Sequence, residues 1–154
     1  MDGCAAAMVA ELDRLRLETG SDFAAFAVPL EGEASWRWSC ASGNLNSRYK
    51  GLVIKSGRGI AGSALRTGRA VVLGRHRYAS DLRKDDLPLL SAERLEAAAA
   101  VPVTVPAAGG SKGVLLVGAR SPRDYDAASV EKLCESAQRI TDSLSPSDGN
   151  PSVS

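Results

Sequence analysis

The sequence predicts an α+β domain in which a central antiparallel sheet is flanked by an N-terminal and a C-terminal helix. Three observations carry this. Apolar residues recur at helical spacing near the two ends of the chain. The middle is filled by short strand-forming runs broken by Gly, Pro, Asn and Ser. Two pairs of those runs are joined by connections short enough to be hairpins, around Glu31–Glu33 and around Pro106–Gly110. With 154 residues the chain has length for one core and not for two. Residues 1–144 therefore read as a single domain, and 145–154, made largely of Ser, Pro, Gly and Asn, as a disordered tail.

Taken in order, Cys4 to Glu18 is rich in Ala, Leu, Glu and Arg, and Met8, Leu12 and Leu15 form one helical stripe that Thr19 and Gly20 end. Asp22–Leu30, with Phe23, Phe26 and Val28, and Ala34–Ser39 read as a hairpin. In its second strand Trp36 and Trp38 share one face and Arg37 takes the other. Ala41–Ser47 is a polar loop, Gly51–Lys55 a short strand, and Ile60–Arg66 a short helix with Gly68 suited to the left-handed position past its end. Ala70–Leu73 is a further strand. Between Gly74 and Leu95 charge dominates around the apolar island Leu87–Leu90, which predicts a loop carrying a short helix. Ala97–Val105 and Gly113–Ala119 are strands, the second so continuously apolar that both its faces should be covered. Asp126 is the expected N-cap of a last helix with the stripe Val130, Leu133, Ala137, Ile140, Leu144. The terminal stripes have two uses, packing on their own sheet or also against a second copy in a homodimer.

Composition excludes several classes of function. Nineteen Lys and Arg against 18 Asp and Glu give a formal charge of +1, so no global field draws in nucleic acid or an anionic membrane. No stretch approaches the ~20 apolar residues of a membrane span, and no basic segment precedes an apolar one at the start, which predicts a cytoplasmic protein. His76 is the single histidine and reads as a solvated loop residue. Cys4, Cys40 and Cys134 lack CxxC spacing, and Cys4 and Cys134 read as small apolar fillers of helices. Metal, dithiol and triad chemistry thus lack their residues, and paired carboxylates do not stand out. The expectation is a protein that is not an enzyme and carries no cofactor.

The sharpest local signal is SGRGIAGSALRTGRAVV, Ser56 to Val72. Glycines at 57, 59 and 62 bring the chain into a helix whose first amides, those of Gly59, Ile60, Ala61 and Gly62, have no partner within it, and such amides attract a small anion. The same spacing also serves as a plain tight connection. It is not a P-loop, since no GK[ST] closes it, and it lacks the full-length helix of a dinucleotide fingerprint. Trp38 offers an indole N–H and a flat wall, or simply a core aromatic; Trp36, on the same strand face, takes that role if the register is shifted. Arg48 is the nearest loop cation, and a solvated loop side chain is the alternative use.

GRGIAGSALRTGRAVV, then AAAAVPVTVPAAGGSKGVLLVGA and the helix after Tyr125 resemble the GAF domain, a bacterial small-molecule sensor module, over Asp22 to Leu144. Within the family, WRW with SGNLNSRYK, SGRGIAG and Leu87-Pro88-Leu89 look like the stand-alone nitrate receptors that work beside a sensor histidine kinase. That resemblance implies nitrate, or a similar small anion such as nitrite, held by Trp38, by the backbone amides of Ile60, Ala61 and Leu89, and by apolar walls at Leu87 and Pro88. Leu87 departs from the pattern, where Tyr is expected, and so alters the pocket wall. It implies a two-component partner kinase and modulation by occupancy. Another small organic ligand is the alternative. Free methionine-(R)-sulfoxide reductases are also lone GAF domains, but they need cysteines in the loops after the GxG helix, and 41–133 contains none. Bilin-binding members pair Cys with His, and His76 has no such neighbour.

Overall fold

The computed structural model describes residues 6–30, 35–55, 57–73, 89–105 and 111–143. Its elements are α1 (Ala6–Thr19), β1 (Phe23–Pro29), β2 (Ser35–Ser42), a 3-10 turn (Arg48–Gly51), β3 (Val53–Lys55), α2 (Gly59–Thr67), β4 (Val71–Leu73), α3 (89–93), β5 (Ala97–Val105), β6 (Ser111–Ala119) and α4 (Ala127–Ser143). The six strands form one antiparallel sheet ordered β3-β2-β1-β6-β5-β4. The predicted α+β architecture is the one observed. The strand expected at 51–55 keeps only its last three residues, because Arg48–Gly51 winds into a 3-10 turn first. β6 starts at Ser111, two residues early, because Val105 and Ser111 still pair across the hairpin. The residues assigned to the tail and the N-terminal Cys4 lie outside the described residues.

Both faces of the sheet are covered, and the strands divide their side chains between them at the period-two spacing of extended chain. Ala24 and Phe26 of β1, Leu115 and Val117 of β6 and Ala99, Val101 and Val103 of β5 point to one core, which α1 closes with Leu12 and Leu15 and α4 with Leu133, Ala137 and Ile140. Each large apolar side chain buried there contributes about 1.5–3 kcal/mol. The terminal stripes thus pack on their own sheet. Arg139 joins the two helices, its Nε and Nη2 lying 3.0 and 2.8 Å from Glu11 Oε2, which also accepts from Ser136 Oγ at 2.6 Å.

The other face carries Ala25 and Ala27 of β1, Ala98 and Ala100 of β5, and Val114 and Leu116 of β6, under α2. Four alanines make this floor shallow, so α2 can lie close to the strands.

β2 does not keep one alternation throughout. Phe26 pairs with Cys40 and Ala27 with Trp38, leaving Ser39 as an extra residue, a β-bulge. Trp36 and Trp38 therefore face the α2 side, while Cys40, also an even-numbered residue, faces α1 and α4. Cys40 is buried and disulfide-bonded. Cys134, read as an apolar filler, is instead an exposed free thiol at the edge of α4 where it borders β5; desolvation and the Glu131 charge push its pKa up. A helix of 17 residues has more positions than its apolar face needs, and Cys134 falls beside Leu133 rather than on the stripe.

The predicted caps are in place. Asp126 Oδ1 accepts the Ser129 amide at 2.9 Å. Gly68, at φ +73°, ends α2 and returns its amide to the Ala64 carbonyl at 2.8 Å.

Candidate functional site

The α2 side of the sheet gathers the residues singled out by sequence. Trp38, Ile60, Ala61 and Leu89 belong to one buried cluster, although they come from β2, the first turn of α2 and α3. Leu87 and Pro88 lie outside the described residues. Tyr49, on the 3-10 turn, and Leu90, on α3, join the same cluster. Sequence reasoning passed over Tyr49; its only signal was an aromatic in a loop otherwise free of apolar residues between Asn46 and Leu52.

The opening of α2 follows from its glycines. Gly59 sits at φ +68°, a conformation that disfavours any side chain. A Cβ on Gly62 would stand 2.2 Å from the Lys55 carbonyl oxygen, so only glycine lets α2 start this close to β3. The Gly62 amide, expected to lack a partner within the helix, has one. Gly62 donates to the Arg58 carbonyl at 3.0 Å, which makes it the first intrahelical bond rather than a free donor. Gly59, Ile60 and Ala61 precede it in the first turn of the helix. The Arg58 cap supplies no side-chain hydrogen bond and no acidic residue occupies the first turn, so the helix's own residues leave the positive end of its dipole uncompensated.

The two tryptophans separate clearly. Trp36, half-buried, donates its indole N–H to the Lys112 carbonyl at 2.7 Å and so ties β2 to the start of β6. Trp38 is 4% exposed and donates its indole N–H to no described residue. Arg48 stands exposed on the 3-10 turn, its amide bonded to Asn46 Oδ1 at 2.9 Å, and is not part of the cluster. Among the described residues the cluster's buried side chains are apolar apart from the Trp38 indole N–H and the Tyr49 hydroxyl, and the first turn of α2 lies at its edge. That combination suits a small, weakly hydrated anion or a flat polar molecule.

Among the described residues no group of His, Cys, Asp and Glu could hold a metal ion, and no helix is long and apolar enough to cross a membrane. A shallow groove of about 210 Å³ beside Pro102, Thr104, Cys134 and Thr141 lies on the opposite face, under α4.

An α+β domain whose antiparallel sheet is covered by helices on both faces is what the GAF fold builds, and the chain belongs to that family: residues 2–144 match the GAF domain model. Among solved structures it is similar to a hypothetical protein from S. aureus, at 33% identity over 77% of this chain and 97% of that one, with a TM-score of 0.64. It is also similar to a Staphylococcus aureus NreA protein mutated in its nitrate binding site, at 31% identity over 82% of this chain and 92% of that one, TM-score 0.67. A free methionine-R-sulfoxide reductase from Neisseria meningitidis shares the fold, with TM-score 0.69 over 88% of this chain and 74% of that one, at 19% identity. No curated protein matches the chain significantly.

Proposed function

We propose that this GAF domain is a nitrate sensor, cytoplasmic and not catalytic, that reports occupancy to a sensor histidine kinase. The observation that supports the reading is that Trp38, Ile60, Ala61 and Leu89, from three separate elements, are buried in one cluster at the start of α2, whose cap residue makes no side-chain hydrogen bond. Nitrate is planar, monovalent and weakly hydrated. Neutral N–H groups can hold it without a buried Lys or Arg, whose desolvation would cost several kcal/mol. In this reading Ile60, Ala61 and Leu89 donate backbone N–H groups, Trp38 supplies a donor and a wall, and Leu87 and Pro88 complete the apolar lining. The likeness to a protein with a nitrate binding site supports the choice of ligand.

Sensing then rests on differential binding: nitrate stabilises one placement of the 87–89 segment, and the kinase distinguishes that placement from the empty one. Pairing of two copies along α1 and α4 is part of the proposal, since Leu17 on α1 is 84% exposed. The 19% identity of the reductase supports the fold alone, and Cys40 being disulfide-bonded and Cys134 remote on α4 give the site no free thiol among the described residues.

Isothermal titration with sodium nitrate is the test. A saturable heat that Trp38→Ala abolishes is expected; a flat titration at millimolar nitrate would sink the reading and favour another small organic ligand at the same face.

A further inference from the structure

The far end of α3 holds a group that nitrate binding does not use. Glu93 is a carboxylate with 0% exposure. Its Oε1 accepts from Arg120 Nη2 at 2.8 Å and from the Leu45 amide at 2.8 Å. Arg120 adds its Nε to the Glu93 carbonyl at 2.9 Å and its Nη2 to the Gly43 carbonyl at 2.9 Å. Asn46 Nδ2 reaches the Ala92 carbonyl at 3.0 Å. One ion pair thus joins the end of α3, the loop 43–46 and the end of β6.

The parts are not equally anchored. Arg120 follows directly on β6, and its amide is held by Asp22 Oδ2 at 2.7 Å, so it belongs to the rigid sheet. The loop is surface chain, with Asn44 and Leu45 exposed. α3 ends abruptly at Arg94, whose φ of +57° is in the left-handed region, and the Leu95 amide turns back to the Leu90 carbonyl at 2.9 Å. Leu89 and Glu93 are four residues apart, about 6 Å along a helix axis. Displacing Leu89 therefore moves Glu93. A buried carboxylate does not give up its cation and its amide donor cheaply, so the loop follows it.

We propose that Glu93 is a positioning residue that sets α3 against the sheet, and that its contact with the Leu45 amide transmits occupancy at Leu89 to the loop 43–46. This rests on the nitrate site proposed above, and it is tested in two arms that fail separately.

The first arm uses no ligand. Amide hydrogen exchange is followed in the wild type, in Glu93→Gln, which keeps the shape and one acceptor but removes the charge, and in Asn46→Ala, a milder cut of the same link. Glu93→Gln is expected to speed the amides of Leu45 and of Arg94 and Leu95, which close α3, together, by about tenfold or more, while α1 and α4 keep their protection. Asn46→Ala is expected to speed the same amides by less. Acceleration of either segment without the other overturns the proposal, as does uniform acceleration across the domain. If Glu93→Gln does not fold, Asn46→Ala decides by the same criterion.

The second arm adds sodium nitrate. Wild-type Leu45 is expected to gain protection on saturation, and Glu93→Gln to bind nitrate about three- to tenfold more weakly with no response at Leu45. Equal protection of Leu45 in both proteins overturns the transmission. A wild type that gives no heat with nitrate removes the ligand assignment, and the first arm still decides whether Glu93 couples α3 to the loop.

Discussion

Trp36 and Trp38 show how much a single side chain's partner decides. They lie two residues apart on one strand face, and the sequence leaves either free to meet a ligand. The structure spends the Trp36 indole on Lys112, so Trp36→Phe should cost about 1 kcal/mol in urea unfolding for the lost hydrogen bond and leave nitrate affinity within about twofold. Trp38→Phe keeps an aromatic wall and removes the N–H; calorimetry should find nitrate bound at least about fivefold more weakly, in line with a lost donor. Gly62 is a different case. Its added Cβ would meet backbone rather than a flexible side chain, so Gly62→Ala is expected to lose about 1–3 kcal/mol of stability and to weaken binding by lifting the first turn of α2. The glycine positions were legible in the sequence because a GxGxxG-like spacing leaves few backbone options. The fate of the Gly62 amide was not, since that depends on where Arg58 places its carbonyl.

Helices α1 and α4 were the most legible elements, because a stripe at 3.6-residue spacing and the Asp126 cap are local signals that packing reinforced. Their mutual link was not legible, since Glu11 and Arg139 are 128 residues apart and meet only after folding. Burial alone would raise the Glu11 carboxyl, but hydrogen bonds from Arg139 and Ser136 hold it below the ordinary value of 4.5. A carboxyl whose folded pKa is depressed stabilises the fold above its unfolded pKa and loses that contribution as pH falls through the folded value. Stability measured between pH 7 and pH 3 should therefore drop more steeply below about pH 4.5 for the wild type than for Glu11→Gln. Glu93 was hidden for a related reason. Within a charged run it looks like any solvated acid, and only the approach of β6 and the loop 43–46 turns it into a buried ion-pair partner.

Across the whole molecule, the scarcity of His and the scattered Cys pointed away from catalysis, while net charge excluded only polyanionic partners; neither speaks to a monovalent anion held by backbone amides. The α+β class followed from the hairpin connections and terminal stripes, and the sheet order could not, because nothing local tells β1 that its neighbours are β2 and β6. Leu17 is the large apolar side chain most exposed among the described residues. If the terminal helices join two copies, sedimentation at tens of micromolar protein should find a dimer, and Leu17→Glu a monomer with unchanged nitrate binding.

The extra residue in β2 has a consequence for how this strand tolerates insertion and deletion. Ser39 lets one strand serve two rooms: before it, even-numbered residues face α2, and after it they face α1 and α4. Removing that one codon would restore strict alternation and set the two halves of the strand at odds, turning Cys40 toward the tryptophans or the tryptophans toward α1. A substitution at Ser39 changes a side chain, whereas its loss changes the phase of everything on one side of it.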